Sequence, residues 1–328
     1  MIEVCLVTGA NGHLGNNLVR ALLNEGRVVR AGVRNINDAK LLEGLDCEIV
    51  YAEMLDKEAM YKAMDGVDTV YHVAAVFKHW AKNPEQEIVM PNVRGTEIVI
   101  ESAAKANVKK VIYVSSVAAI GHNGEKLTEK DWNTEGENAY YRSKIEAEKK
   151  AWELSKKYNI WMAAVLPSAM IGANIGRFTD TMNFVHDIYK KDLPFDPNFY
   201  FNFVDVSDVA NGIVLASDKG RPGERYILAN ESSSSVNDIV DAANKTLSGG
   251  YKSLPKPPMW LLLAVANVFE WISKISGKPA DLMASQVRLF YGVKQEYSIN
   301  KSFKELGYKP KSPAQALADT FTYFSEAK

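Results

Sequence analysis

Thr8-Gly9-Ala10-Asn11-Gly12-His13-Leu14-Gly15 follows the apolar run Val4-Cys5-Leu6-Val7 and opens a helical pattern from Leu14 to Asn24. Three glycines at a spacing of three, between a strand and a helix, let backbone amides approach an anion at the positive helix end. A larger side chain there blocks the approach. The flanking strand and helix are the context that a dinucleotide-phosphate loop requires. Thr8, Gly9, Asn11, Gly12, His13, Leu14 and Gly15 are its candidate contacts.

Beyond this loop, short β-branched runs alternate with longer helical patterns. The expected strands are Val4 to Thr8, Val28 to Val33, Glu48 to Tyr51, Thr69 to Val73, Lys110 to Ser115 and Trp161 to Leu166. Helices are expected at Leu14 to Asn24, Asp56 to Met64, Glu85 to Ala106 and Asn138 to Lys157. Such alternation is the signature of βαβ units and a parallel sheet. The fold class is therefore α/β: a Rossmann doubly wound parallel sheet with a smaller, mainly helical C-terminal substrate lobe. The expected division is residues 1–170 for the dinucleotide-binding domain and 171–328 for the lobe, with segments around 200–230 returning to the sheet.

The 328 residues carry 39 basic and 40 acidic side chains, a formal charge of -1. That balance supplies no electrostatic reason to bind nucleic acid or an anionic membrane, and a small neutral substrate fits it better. Cys5 and Cys47 cannot form the disulfide framework of a small secreted domain. With no basic and apolar leader at the start of the sequence, the expected location is the cytoplasm. The most apolar stretch, Met259 to Ile272, is shorter than the roughly 20 residues of a bilayer span. Its Trp260, Leu263, Val268 and Trp271 are expected to be buried or to line a cavity, with a membrane surface as the rival reading. No metal site is expected.

In the Rossmann pattern, an acidic residue about 20 positions beyond the loop grips the ribose diol of NAD. Here that place holds Arg34, and the run from Arg27 to Asn35 has no carboxylate. A guanidinium at a strand end suits the extra phosphate of NADP. NADP(H) is the expected cofactor and NAD(H) the alternative; the competing reading makes Arg30 or Arg34 a solvated charge.

Tyr140 and Lys144, four residues apart in a helical pattern, project from one face. An ammonium beside a phenol favours the phenolate, so Lys144 is expected to draw the tyrosine toward neutrality as proton donor. A third group must hold the substrate oxygen. Val111-Ile112-Tyr113-Val114 runs into Ser115-Ser116 at the ligand-binding edge, and Ser116 is the choice. Asn92, near a helix start, serves equally well as a structural residue or as the holder of a network beneath the site.

Thr8-Gly9-x-x-Gly12-x-x-Gly15, His72-Val73-Ala74-Ala75, Asn92-Val93-Arg94-Gly95-Thr96, Ser115-Ser116, Tyr140-x-x-x-Lys144 and Pro167 through Gly172 stand in the order seen in extended short-chain dehydrogenases/reductases. The chain resembles that superfamily over about its whole length, including the ending Lys304 to Pro310, and within it the dihydroflavonol reductase-like branch. The resemblance implies catalytic roles for Ser116, Tyr140 and Lys144, with Tyr140 and Lys144 also touching the cofactor. It implies Arg34 at the 2′-phosphate, Pro167 and Ser168 at the nicotinamide, Ala74 and Ala75 along the cofactor cleft, and Glu53 and Met54 near the adenine. The family usually has Asp and Leu at that last pair.

Sugar-nucleotide dehydratases carry an Asp-Glu pair directly after the catalytic hydroxyl residue, where this chain has Val117-Ala118. Epimerases usually carry Asn two residues beyond Pro167, where this chain has Ala169. The resemblance therefore implies reversible NADPH-dependent reduction of a ketone or aldehyde on a moderately hydrophobic small molecule. The alternatives are a hydroxysteroid dehydrogenase, a nucleotide-sugar epimerase, and a cofactor-sensing protein without catalysis. Phe77, Ile120, Tyr141, Met170 and Phe178 are the expected substrate contacts, joined by Trp80 and Met182, with His79, His122 and Asn123 as polar candidates. A homodimer through the helices Glu85 to Ala106 and Asn138 to Lys157 is also implied.

Overall fold

Val4–Thr8 illustrates how the sheet is built. Cys5 and Val7 pack into one core cluster while Leu6 packs into another, so alternate side chains enter opposite layers and the run from Val4 to Val7 is apolar on both faces. The computed structural model describes residues 3–78, 80–122, 125–247, 249–277, 280 and 282–326; His79 and Asn123 lie outside the described residues.

Seven strands form one parallel sheet in the order Arg225–Leu228, Trp161–Pro167, Lys110–Val114, Thr69–His72, Val4–Thr8, Val28–Val33, Glu48–Tyr51. The six expected strands are present, two of them one residue shorter at the C-terminal end and Trp161–Pro167 one longer. The seventh, Arg225–Leu228, pairs with Trp161–Pro167 from more than fifty residues away. The order of the strands reverses between Val4–Thr8 and Thr69–His72, which opens a crevice beyond their carboxyl ends. The glycine loop and Ala74 flank it.

The helix Ala139–Lys157 turns one buried stripe to the sheet: Tyr140, Ser143, Lys144, Ala147, Glu148 and Ala151, a spacing of three and four. Asn138 caps it, its Oδ1 accepting from the amides of Tyr140 at 3.0 Å and Tyr141 at 3.2 Å. It packs along Met90–Lys105, which follows a π-helical turn at Glu85–Val89. Ion pairs such as Arg94–Glu97, Lys150–Glu153 and Arg142–Glu85 cover the outer faces of this pair.

The C-terminal lobe is mainly helical. Asp180–Lys190, Val236–Leu247 and Pro313–Glu326 enclose a core of Ile171, Met182, Phe203, Ile239 and Phe321. The parallel strand pair Ala169–Ile171 and Phe203–Asp205 ties it to the sheet edge. The apolar stretch forms the helix Met259–Ser276, longer than expected and, by length and composition, able to cross a membrane. Leu263 is half-buried, but Trp260, Val268 and Trp271 are exposed, so the expectation that this set is buried does not hold. One helical face can be hidden by a single neighbour, and the neighbour Ala284–Phe290 covers only the side carrying Leu262 and Ala266.

Candidate active site

Gly9 has φ +68°, and a Cβ there would lie 3.0 Å from the Cα of Ala74. Both the backbone conformation and the approach of two strand ends demand glycine. At Gly15 a Cβ would lie 2.1 Å from the carbonyl oxygen of Gly9, so this glycine lets the helix close on the strand. At Gly12 the gap to the same oxygen is 3.2 Å. No side chain caps the first turn of His13–Asn24, leaving its amides directed at the crevice.

Several flanking side chains are committed elsewhere. Thr8 Oγ1 lies 3.0 Å from His72 Nδ1 and accepts from the amides of Val73 and Ala74, both at 3.1 Å, joining the ends of the two strands that border the crevice. His13 is buried with Nε2 3.0 Å from the carbonyl oxygen of Ala173, and burial holds its pKa below the ordinary value. Asn16 and Asn17 donate to the carbonyls of Asn174 and Ala173 at 3.0 and 3.3 Å, and Asn174 returns a bond to Asn17 at 3.0 Å. This clamp fastens the segment after Gly172 over the loop helix. Asn11 donates to the carbonyl of Asp38 at 2.8 Å.

The two arginines of the second strand separate cleanly. Arg30 pairs with Glu48 at 2.8 Å and donates to the carbonyls of Ala63 and Asp65. Arg34 is exposed just past the strand end, with no ion-pair partner among the described residues. Glu53 is half-buried, and Met54 is buried with its sulfur so close to Gly95 that a Cβ there would stand 2.9 Å from it.

At the centre, Ser116 stands beside the phenol of Tyr140 and acts to lower its pKa. Ser116 Oγ also accepts from the amide of Ala118 at 3.1 Å, which holds its rotamer. Ser115 is turned away: it donates to the buried carboxylate of Glu148 at 2.5 Å. Burial pushes the Tyr140 phenol up to about 12, with Ser116 opposing. The expected downward pull of Lys144 on Tyr140 is not what sets the phenol in the chain by itself: desolvation raises it, Ser116 lowers it and Asp180 raises it. Burial also brings the Lys144 ammonium down to about 8, with Glu148 one turn away opposing. His72, wholly buried and facing that ammonium, is held down at about 3.

Lys144, His72, Ala74, Ala75 and Asn92 share one small cavity at the crevice floor. Asn92 accepts from the amide of Val76 at 2.7 Å and donates to its carbonyl at 3.0 Å and to Ser143 Oγ at 3.1 Å. It therefore pins the segment after Ala75 to the helix bearing Tyr140. Ser168, next to Pro167, is buried and its hydroxyl has no hydrogen-bond partner among the described residues. An orphaned hydroxyl at a strand end, a loop in which a Cβ would collide, and an unpaired guanidinium form a donor set that fits a phosphorylated dinucleotide.

Of the expected substrate contacts, Phe77 meets Tyr140 edge-on at 5.1 Å and Tyr141 lies 5.8 Å from it. Ile120 instead packs with Leu127, Leu166 and Ile227 beneath the site at 2% exposure. Met170 leans on the central core, Phe178 packs on His186 and Phe324 in the lobe, and Met182 is fully buried there. Trp80 is half-buried. His122 sits 5.0 Å from the rings of both Tyr141 and Phe290, and burial lowers its pKa. Phe290 was invisible to sequence reasoning, since nothing in its local pattern separates it from a core residue 150 positions from Tyr140.

A glycine loop at the strand-order reversal, with a Ser-Tyr-Lys set across the crevice, defines an extended short-chain dehydrogenase/reductase. A model of the NAD dependent epimerase/dehydratase family matches residues 5–229, and the chain belongs to that family. Sterol demethylase protein B of Methylococcus capsulatus is 31% identical over 98% of both chains. A putative dihydroflavonol 4-reductase of Synechocystis is 32% identical over 99% of this chain and 95% of its own. Among solved structures, gox2253 superposes with a TM-score of 0.86 at 30% identity, covering 99% of this chain and 98% of its own.

Proposed function

We propose that the protein is an NADPH-dependent reductase, reversible as a dehydrogenase, acting on a ketone or aldehyde of a moderately hydrophobic small molecule. The observation that carries this reading is that Tyr140 and Lys144 are buried one turn apart on the same helix with Ser116 beside the phenol. The dinucleotide supplies a hydride when bound. Ser116 holds the carbonyl oxygen and Tyr140 gives it a proton. Lys144 keeps positive charge behind the phenol as that proton leaves, so an interaction weak in the resting chain strengthens as negative charge develops. Arg34 receives the 2′-phosphate, the first-turn amides receive the pyrophosphate, and Ser168 lies against the nicotinamide side.

The walls of the site set the substrate class. Phe77 and Tyr141 present rings to Tyr140, and His122 and Phe290 continue that aromatic wall from Tyr141. The names of the relatives direct the substrate panel toward sterol-type ketones and dihydroflavonols. The test is NADPH oxidation across ketones, aldehydes, steroids and flavonoids, with Tyr140→Phe alongside. The variant is expected to bind NADPH normally and to lose at least ~1000-fold in turnover. Substantial residual turnover overturns the role of Tyr140, and no oxidation with any carbonyl overturns the reductase reading.

A further inference from the structure

The helix Met259–Ser276 shows solvent an apolar face that the fold does not cover. Trp260, Ala264, Val268, Trp271 and Ile275 follow at spacings of four, four, three and four, and Leu261 and Ile272 widen the stripe to roughly a third of the circumference. Trp260 is 70% exposed, Trp271 64% and Ile275 70%. Soluble monomers seldom leave so continuous a patch open. Indole rings near both ends are suited to the boundary between headgroups and acyl chains.

Charge selects the occupant. Residues 252–294 hold six basic and two acidic side chains, although the whole chain is at -1. The one carboxylate of the helix, Glu270, is turned inward and accepts from the amide of Ala284 at 2.7 Å. Lys252, Lys274, Arg288 and Lys294 are exposed, Lys274 on the helix itself and Arg288 on the helix packed against it. We propose that this helix lies in the surface of an anionic bilayer, its apolar face among the acyl chains and the exposed lysines and arginine of this segment, Lys274 and Arg288 foremost, on the headgroups. Two copies meeting through this face would bring two basic belts together, which disfavours a dimer here.

The helix lies along the surface rather than through it. Leu262, Ala266 and Ser273 are buried against the protein, and a crossing would carry the adjoining Ala284–Phe290, with Arg288, into hydrocarbon. That adjoining helix links the face to the crevice: Val287 packs with Leu262 and Ala266, while Phe290 stands 6.1 Å from Tyr141. Docking therefore sets the mouth of the site beside the lipid. Docking itself requires nothing of the chemistry at Tyr140.

Co-sedimentation of the full chain with phosphatidylcholine vesicles, with and without phosphatidylglycerol, tests the assignment. The chain is expected to pellet with the anionic vesicles and to be released by salt. Trp260→Ser with Trp271→Ser is expected to weaken binding at least ~10-fold while the melting temperature and NADPH affinity stay unchanged. Reversing charge at Lys252, Lys274 and Arg288 is expected to remove the preference for phosphatidylglycerol. A chain that stays in the supernatant with anionic vesicles overturns the proposal. So does binding that neither variant weakens, or a concentration-dependent dimer in sedimentation velocity that the tryptophan pair abolishes.

Discussion

Lys144 holds its charge in a place that burial makes unfavourable. In the native chain its proton is lost as pH rises through about 8, whereas in the unfolded chain it is kept to about 10.4. Below 8 both states are charged and the native state bears the desolvation cost. Between 8 and about 10.4 only the unfolded state holds the proton, so this group makes stability rise with pH there. Lys144→Met should abolish turnover yet raise the melting temperature by several degrees at pH 7, an advantage that thermal melts should show shrinking by pH 10. The same titration should give kcat/KM an alkaline limb near 8 in the wild type. With Arg34 at the 2′-phosphate, as proposed, Arg34→Ala removes a charge-assisted contact worth about 1.5–3 kcal/mol, so NADPH should bind roughly 10- to 150-fold more weakly while NADH affinity is unchanged. The types and spacing of Ser116, Tyr140, Lys144 and Arg34 were legible in the sequence, because each sits on an element whose period or end can be read locally. The balance between burial and charge at Tyr140 was not, because desolvation depends on what packs above the ring.

Among the elements, the strand-loop-helix unit at the N-terminus makes the sharpest demand on sequence. Gly15→Ala must displace the carbonyl of Gly9 and should destabilise the fold by roughly 3 kcal/mol or more. Gly12→Ala meets the same oxygen at 3.2 Å and should melt close to the wild type while binding NADPH less tightly. Parallel melts and fluorescence titrations distinguish the two. Strands such as Val4–Thr8 were legible from alternating apolar runs and breakers, since both faces are covered and the run from Val4 to Val7 is apolar. Arg225–Leu228 was harder to place, because four residues carry no period and its partner, Trp161–Pro167, is remote in sequence. The helix Met259–Ser276 was misjudged for a related reason: composition states that a helix is apolar, while only packing states which side is covered. The clamp of Asn16, Asn17 and Asn174 left a faint trace as two adjacent asparagines on the buried side of a helix, between Leu14 and Leu18, where a buried amide must find a partner.

Across the whole molecule, the helix bearing Tyr140 and Lys144 and the strand Arg225–Leu228 are joined by a buried charge pair. Arg225 donates to Glu148 at 2.7 Å and to the carbonyls of Glu129 and Asp131 at 2.9 and 2.7 Å, and its guanidinium stacks 4.0 Å over Trp132. Glu148 also accepts from Ser115 and Trp152, and it raises the pKa of Lys144. Arg225→Met alone leaves a carboxylate buried without its cation, which should cost about 3–5 kcal/mol. Adding Glu148→Gln removes the stranded charge while an amide oxygen can still accept from Ser115 and Trp152, so the double variant should regain most of that stability in chemical denaturation. Activity should not follow stability. Without the Glu148 carboxylate the Lys144 proton is lost below pH 8, so the alkaline limb of kcat/KM should move to lower pH although the protein is folded. A double variant with restored stability and an unmoved limb would show that Glu148 only holds the sheet edge to the helix and does not set the charge at the site.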